Sequence, residues 1–153
     1  MIWILLLRNW RGCVVRSEIF LVDTSVWIGY FSPRAQTAAL GTLWDRVGGL
    51  VSSAAAAVTG MVRLEVLGGA RDERDYERLA EALLAMPSLA MGEEPWDDAA
   101  RMAFQLRRRG LTVPFPDALI AAVAIREGAV LLHRDRHFDT IAAHTSLRVE
   151  SYV

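Results

Sequence analysis

Apolar positions along the chain fall into short continuous runs separated by stretches of helical period. Residues 19–23 (IFLVD) predict a short buried strand, and 34–47 a helix with Ala38, Leu40, Leu43 and Val47 inward. A short strand is expected at 50–53, then a helical stretch, "AAVTGMVRLEVLG", that stops at the capping pair Gly68 and Gly69. Residues 72–86 place Tyr76, Leu79, Leu83 and Met86 at helical spacing, and Pro87 ends that run. A brief strand is expected around 89–91 and a helix from about 95 to 109. In "VPFPDALIAAVAIREG", Pro116 lies near a helix start and Gly128 beyond its end. "AVLLH" at 129–133 reads as another buried strand, 137–143 as a short helix and 147–152 as a last edge strand.

Strands alternating with helices predict an α/β fold, three layers deep, around a mostly parallel central sheet. In such sheets ligands sit beyond the carboxyl ends of the strands. The 153 residues suit one domain, expected at 19–153, preceded by an extension at 1–18 whose start codon is itself in question, because the organised pattern begins only at Glu18. The apolar run in "MIWILLLR" is too short to span a bilayer and lacks the basic start of a secretory signal, so a cytoplasmic protein with no membrane partner is expected.

Composition adds exclusions. The formal net charge of -1 gives no overall basic field, so any nucleic-acid contact must come from a local patch. All 17 basic residues are arginine, which excludes lysine chemistry. Cys13 is alone, ruling out an internal disulfide and fitting a reducing compartment.

Most of the 18 acids sit in runs such as "RDERDYERLAE", where solvated acids belong. Four do not. Asp23 ends the first strand, where an Asx turn or helix cap is the plain alternative. Glu65 shares an apolar helical face with Val58, Met61 and Val62, where a lone carboxylate costs several kcal/mol and an arginine partner is the plain alternative. Asp117 opens a helix, a position that the helix dipole favours by about 0.3 to 1 kcal/mol. Asp135 follows the strand "AVLLH" across Arg134, as a turn residue would. A parallel sheet would bring all four to one rim. Carboxylates gathered there repel one another unless a cation cancels the charge. All-oxygen ligation favours Mg²⁺ or Mn²⁺. His133, His137 and His144 lack zinc spacing, and Cys13 has no partner, so zinc is not expected. Such a centre acts on phosphates.

The motifs "FLVDTSVWI", "VRLEVLGGA", "PFPDALIAAVAI" and "LLHRDRHFDTIA", in that order, resemble those of the PIN-domain ribonucleases, and among them the VapC toxins of bacterial toxin–antitoxin pairs. The resemblance covers about residues 19–150 and implies an acidic quartet at Asp23, Glu65, Asp117 and Asp135, with Ser25 supporting the metal shell. It further implies Mg²⁺- or Mn²⁺-dependent hydrolysis of RNA phosphodiesters, a homodimer, and silencing by a small VapB-type antitoxin whose tail reaches the pocket. His133 stands where the family often has Thr or Ser, and Gly29 and His137 where acids are common. Asp139 is a candidate fifth acid or a helix cap. Arg107, Arg108 and Arg109 either complement a helix C-terminus or contact RNA phosphates. Trp27 either stacks on a base or packs internally or against a second copy. The alternatives are a PIN nuclease outside a toxin–antitoxin pair, including one directed at DNA, and a non-catalytic binding module of the same fold. A signalling receiver is disfavoured, because receivers use a lysine near the phosphorylated Asp.

Overall fold

A computed structural model describes residues 18–32 and 40–153. The expected extension at 1–18 therefore lies outside the described residues apart from Glu18, as do Cys13 and the first part of the helix expected at 34–47. Five strands, all paired in parallel, form one sheet in the order β3-β2-β1-β4-β5. They are β1 Phe20–Val22, β2 Ala56–Thr59, β3 Ser88–Leu89, β4 Val130–His133 and β5 Arg148–Ser151. Every residue of β1 and β2 is buried, so neighbouring side chains that point to opposite faces are both covered. That requires helices on both faces, giving the expected three layers.

The chain runs outward from β1 through β2 to β3, then returns to place β4 on the other side of β1. The order reverses between β1 and β4, so a crevice opens beyond the carboxyl ends of these two central strands. The Asp23 N–H bonds the Leu132 carbonyl at 3.0 Å, fixing the two ends side by side.

Seven helices connect the strands among the described residues: α1 Thr24–Phe31, α2 Gly41–Ser52, α3 Gly60–Gly68, α4 Glu73–Leu84, α5 Glu93–Arg108, α6 Phe115–Glu127 and α7 Arg136–Ala142. Helix α6 is buried without a break from Ala118 to Ala124 and ends at Gly128, whose φ of 63° is the left-handed conformation that glycine adopts without strain. Its seven-residue buried stretch makes it a rigid mount for whatever its first turn carries. Leu21, Trp27, Leu119, Leu131, Leu132, Phe138 and Ile141 are among the largest fully buried side chains, each stabilising the fold by about 1.5–3 kcal/mol relative to exposure.

Several expectations are corrected. The strand placed at 50–53 is the last turn of α2, while 56–59, read as helix, is β2. Helix α4 turns Asp75 rather than Tyr76 toward the core; Tyr76 is 44% exposed. Asp75 is not a solvated acid: Arg71 and Arg78 ion-pair with it at 2.9 and 2.8 Å, and their guanidinium groups hold its carboxyl well below the usual range. The stretch 24–31, to which its pattern gives no element, is α1, capped by Asp23.

Candidate metal centre

Asp23 and Asp135 each cap a helix, the plain alternative that the sequence leaves open for an acid at such a place. Asp23 is the N-cap of α1: its Oδ2 accepts the Ser25 N–H at 2.8 Å and the Ser25 hydroxyl at 2.5 Å. The same Ser25 hydroxyl accepts the Arg134 N–H at 3.0 Å, so one side chain links the end of β1 to the turn after β4. Asp135 caps α7, its Oδ1 accepting the His137 N–H at 2.9 Å. A short side chain at an N-cap satisfies orphan N–H groups of the first turn while its charge meets the positive end of the helix dipole. Both acids are thereby held at the crevice between β1 and β4.

Glu65 enters from α3, where it is half-buried, and its Oε2 accepts the Thr24 hydroxyl at 2.5 Å. Asp117 enters from the first turn of α6, mounted on the buried helix described above. Its Oδ2 lies 3.1 Å from His137 Nδ1, which is itself 2.9 Å from Asp135 Oδ1. Donor atoms of Asp117, Asp135 and His137 all fall within 4.8 Å of one another.

The electrostatics reflect the crowding. Burial, then the charges of Asp135 and Asp23, raise the Asp117 carboxyl to about 7; Glu65 adds to the effect and His137 opposes it. Burial also raises Asp23, against the hydrogen bonds from Ser25, and Glu65 raises it further. Asp117 thus lies within the fields of the other three acids picked out from the sequence. Asp117 Oδ2 and His137 Nδ1 are buried and have no hydrogen-bond partner, although 3.1 Å apart. Converging negative charge and orphaned donor atoms fit a divalent cation, with Asp117 and Asp135 offering carboxylate oxygens within 4.8 Å of each other.

Other expected residues have different surroundings. Asp139 is not the cap of α7: its carboxylate accepts the Ser151 hydroxyl at 3.3 Å and lies 3.6 Å from His133 Nε2. His133 is fully buried, and its Nδ1 accepts the Asp135 N–H at 3.2 Å, so Nε2 carries the proton of the neutral ring. Burial holds this imidazole below its usual pKa. Trp27 is fully buried, stacked on Phe31 with ring centres 5.4 Å apart, and belongs to the packing. Gly29 is no rim position: a Cβ there would stand 2.5 Å from the Trp44 ring. Arg107, Arg108 and Arg109 are exposed at the end of α5, with Arg107 over the ring of Phe115, two residues before Asp117. His137, which the sequence marks only as standing where the family commonly has an acid, is brought into the group with Asp117 and Asp135 by the fold. Its signal was its place two residues after a capping acid, where its N–H bonds that acid and its ring is carried alongside.

Residues 20–144 match the PIN domain family. Ribonuclease VapC11 of Mycobacterium tuberculosis is 37% identical over 138 residues, spanning 88% of this chain and 99% of that protein. Ribonuclease VapC18 of the same organism is 31% identical over 137 residues, spanning 86% of this chain and 93% of its own length. The crystal structure of VapBC2 from Rickettsia felis, bound to a DNA fragment from its promoter, shares the fold with a TM-score of 0.70 at 18% identity, covering 89% of this chain and all of the matched one. Fold, pocket and sequence agree: the chain belongs to the PIN-domain family, among the VapC ribonucleases.

Proposed function

We propose that this protein is a divalent-cation-dependent endoribonuclease and the toxin of a VapBC toxin–antitoxin pair, using Mg²⁺ or Mn²⁺ held by Asp23, Glu65, Asp117 and Asp135. The observation that carries the reading is the convergence of four carboxylates, from four separate elements, at the crevice where the strand order reverses. A cation bound there would neutralise charge building on a scissile phosphate and lower the pKa of an attacking water.

The protein's own residues prepare that chemistry. Ser25 and Thr24 fix the carboxylates of Asp23 and Glu65 through hydrogen bonds of 2.5 Å, so their orientation is set before any ligand arrives. Asp117, whose carboxyl is raised to about 7 by burial and its acidic neighbours, would give up its proton on binding a cation there. Asp139 stands one side chain behind the pocket, 3.6 Å from His133, whose Nδ1 accepts the Asp135 N–H.

Arg107, Arg108 and Arg109 form the local basic patch that a near-neutral protein needs to hold an RNA backbone. The homodimer reading is supported by an apolar cleft of about 500 Å³ between α5 and α6, where Trp96, Phe104 and Phe115 stand exposed. A second cleft, of about 350 Å³, runs from Ile28 and Phe31 to Glu65 and suits an antitoxin tail. No helix among the described residues is long and apolar enough to cross a membrane. We take the protein to act in the cytoplasm as one domain over 19–153, beginning just before the matched family stretch.

The test is cleavage of total cellular RNA by purified protein with Mg²⁺, Mn²⁺ or EDTA, beside Asp23→Asn, which keeps a capping side chain and removes the charge. Metal-dependent cleavage that disappears in the variant is the expected result. Equal cleavage by both proteins, or cleavage undiminished by EDTA, would overturn the assignment. Inert wild type with either metal, free of copurified antitoxin, would favour a binding module.

A further inference from the structure

We infer that His137 is a direct ligand of the pocket's cation, and that its nitrogen tilts the site from Mg²⁺ toward Mn²⁺. The inference rests on the cation reading above and goes beyond its four acids.

The geometry comes first. His137 Nδ1 stands 2.9 Å from Asp135 Oδ1 and 3.1 Å from Asp117 Oδ2. Ligands about 2.0–2.1 Å from an octahedral ion lie about 3 Å from their neighbours around it. Nδ1 is thus spaced from each of the two carboxylate oxygens as a neighbouring corner of one coordination shell. A tetrahedral ion with ligands at about 2.0 Å would set them wider, near 3.3 Å.

The hydrogen bonding points the same way. Nδ1 and Asp117 Oδ2 are both buried without a hydrogen-bond partner, despite their separation. A proton shared along that line would have satisfied both. The ring is nevertheless 44% exposed, so its other edge meets solvent and water can accept from Nε2–H, leaving the Nδ1 lone pair free to ligate. Position is also secured: the His137 N–H is tied to Asp135 Oδ1 at 2.9 Å, so ring and carboxylate are placed by the same helix start.

The consequence is selectivity. Carboxylates and water serve Mg²⁺ and Mn²⁺ comparably, whereas an imidazole nitrogen suits transition ions better than Mg²⁺.

Pulsed electron paramagnetic resonance of the full chain loaded with Mn²⁺ reads the ligand directly. Wild type is expected to show ¹⁴N coupling of an ion-bound imidazole. In His137→Asp the coupling should vanish while Mn²⁺ still binds, now through oxygen. Calorimetric titration should show the Mn²⁺-to-Mg²⁺ affinity ratio falling at least about tenfold in that variant, the scale on which even outer-shell partners weaken a metal site. Mn²⁺ bound to wild type without ¹⁴N coupling, or coupling that persists in the variant, overturns the role of His137 and leaves the carboxylate site standing. Failure of wild type to bind Mn²⁺ at all overturns the cation reading itself along with this inference.

Discussion

Asp117→Asn is expected to stabilise the metal-free protein. The Asp117 side chain is 15% exposed and hemmed in by carboxylates, and its carboxyl is raised from 3.8 to about 7. The folded protein therefore holds this proton more tightly than the unfolded chain does. The resulting penalty is absent below about pH 3.8, grows as pH rises toward 7, and is complete above it. At 1.36 kcal/mol per pKa unit the full penalty is at most about 4 kcal/mol. Solvent access at the open side of the pocket brings this to about 2 kcal/mol. The neutral amide also gives up the attraction of a first-turn charge to the helix dipole, about 0.3 to 1 kcal/mol. A net gain of about 1–2 kcal/mol remains, equivalent to roughly 2–8 °C in Tm for a domain of this size. Thermal melts of both proteins in EDTA should show the variant ahead at about pH 8 and the gap closing toward about pH 4. Added Mg²⁺ or Mn²⁺ should raise the wild type more than the variant. A variant less stable than wild type at about pH 8 in EDTA, or a gap independent of pH, would refute the electrostatic account of the pocket.

Two further substitutions test the scaffold. Gly29→Ala puts a methyl group 2.5 Å from a carbon of the Trp44 ring, a rigid neighbour, and should destabilise by about 1–3 kcal/mol in urea unfolding. Ala54→Gly should stabilise by about 0.5–1 kcal/mol on the same measurement, because Ala54 holds a φ of 55° that costs an L residue about 1–2 kcal/mol.

Ala54 also shows why one element was misread in the sequence. Helix α2 ends with the Ala55 N–H on the Leu50 carbonyl and the Ala54 N–H on the Val51 carbonyl, a close for which glycine is the usual residue and here is missing. Gly48 and Gly49 lie inside the helix instead, so the punctuation in "RVGGLVSSAAAA" points five to six residues too early. Strand β2 is buried on both faces, which removes the alternation that would mark it, and alanines carry little preference against helix. Asp75 escaped notice because its two arginines flank it in a run dense with charge, and only the fold shows which acid turns inward.

The acids of the pocket were legible for the opposite reason. Glu65 stands on an apolar helix face, where its position conflicts with its charge, while Asp23, Asp117 and Asp135 stand at strand ends or a helix start that a parallel sheet brings to one rim. His137 was not legible in that way, since a histidine beside charged residues conflicts with nothing. Its meaning depends on Asp117, twenty residues earlier in the chain and joined to it only by the fold.

The pairing of β1 with β4, Phe20 opposite Val130 and Val22 opposite Leu132, also bears on how the protein comes into being. The middle of the sheet is closed by segments from nearly opposite ends of the chain, a contact of long sequence separation that slows folding. While the ribosome is still making residues before 130, β1 has β2 to pair with and a bare edge on its other side. Asp23, Glu65 and Asp117 then exist before Asp135 and His137 have been synthesised. Assembled in this order, the pocket gains its last acid only when the chain is almost complete.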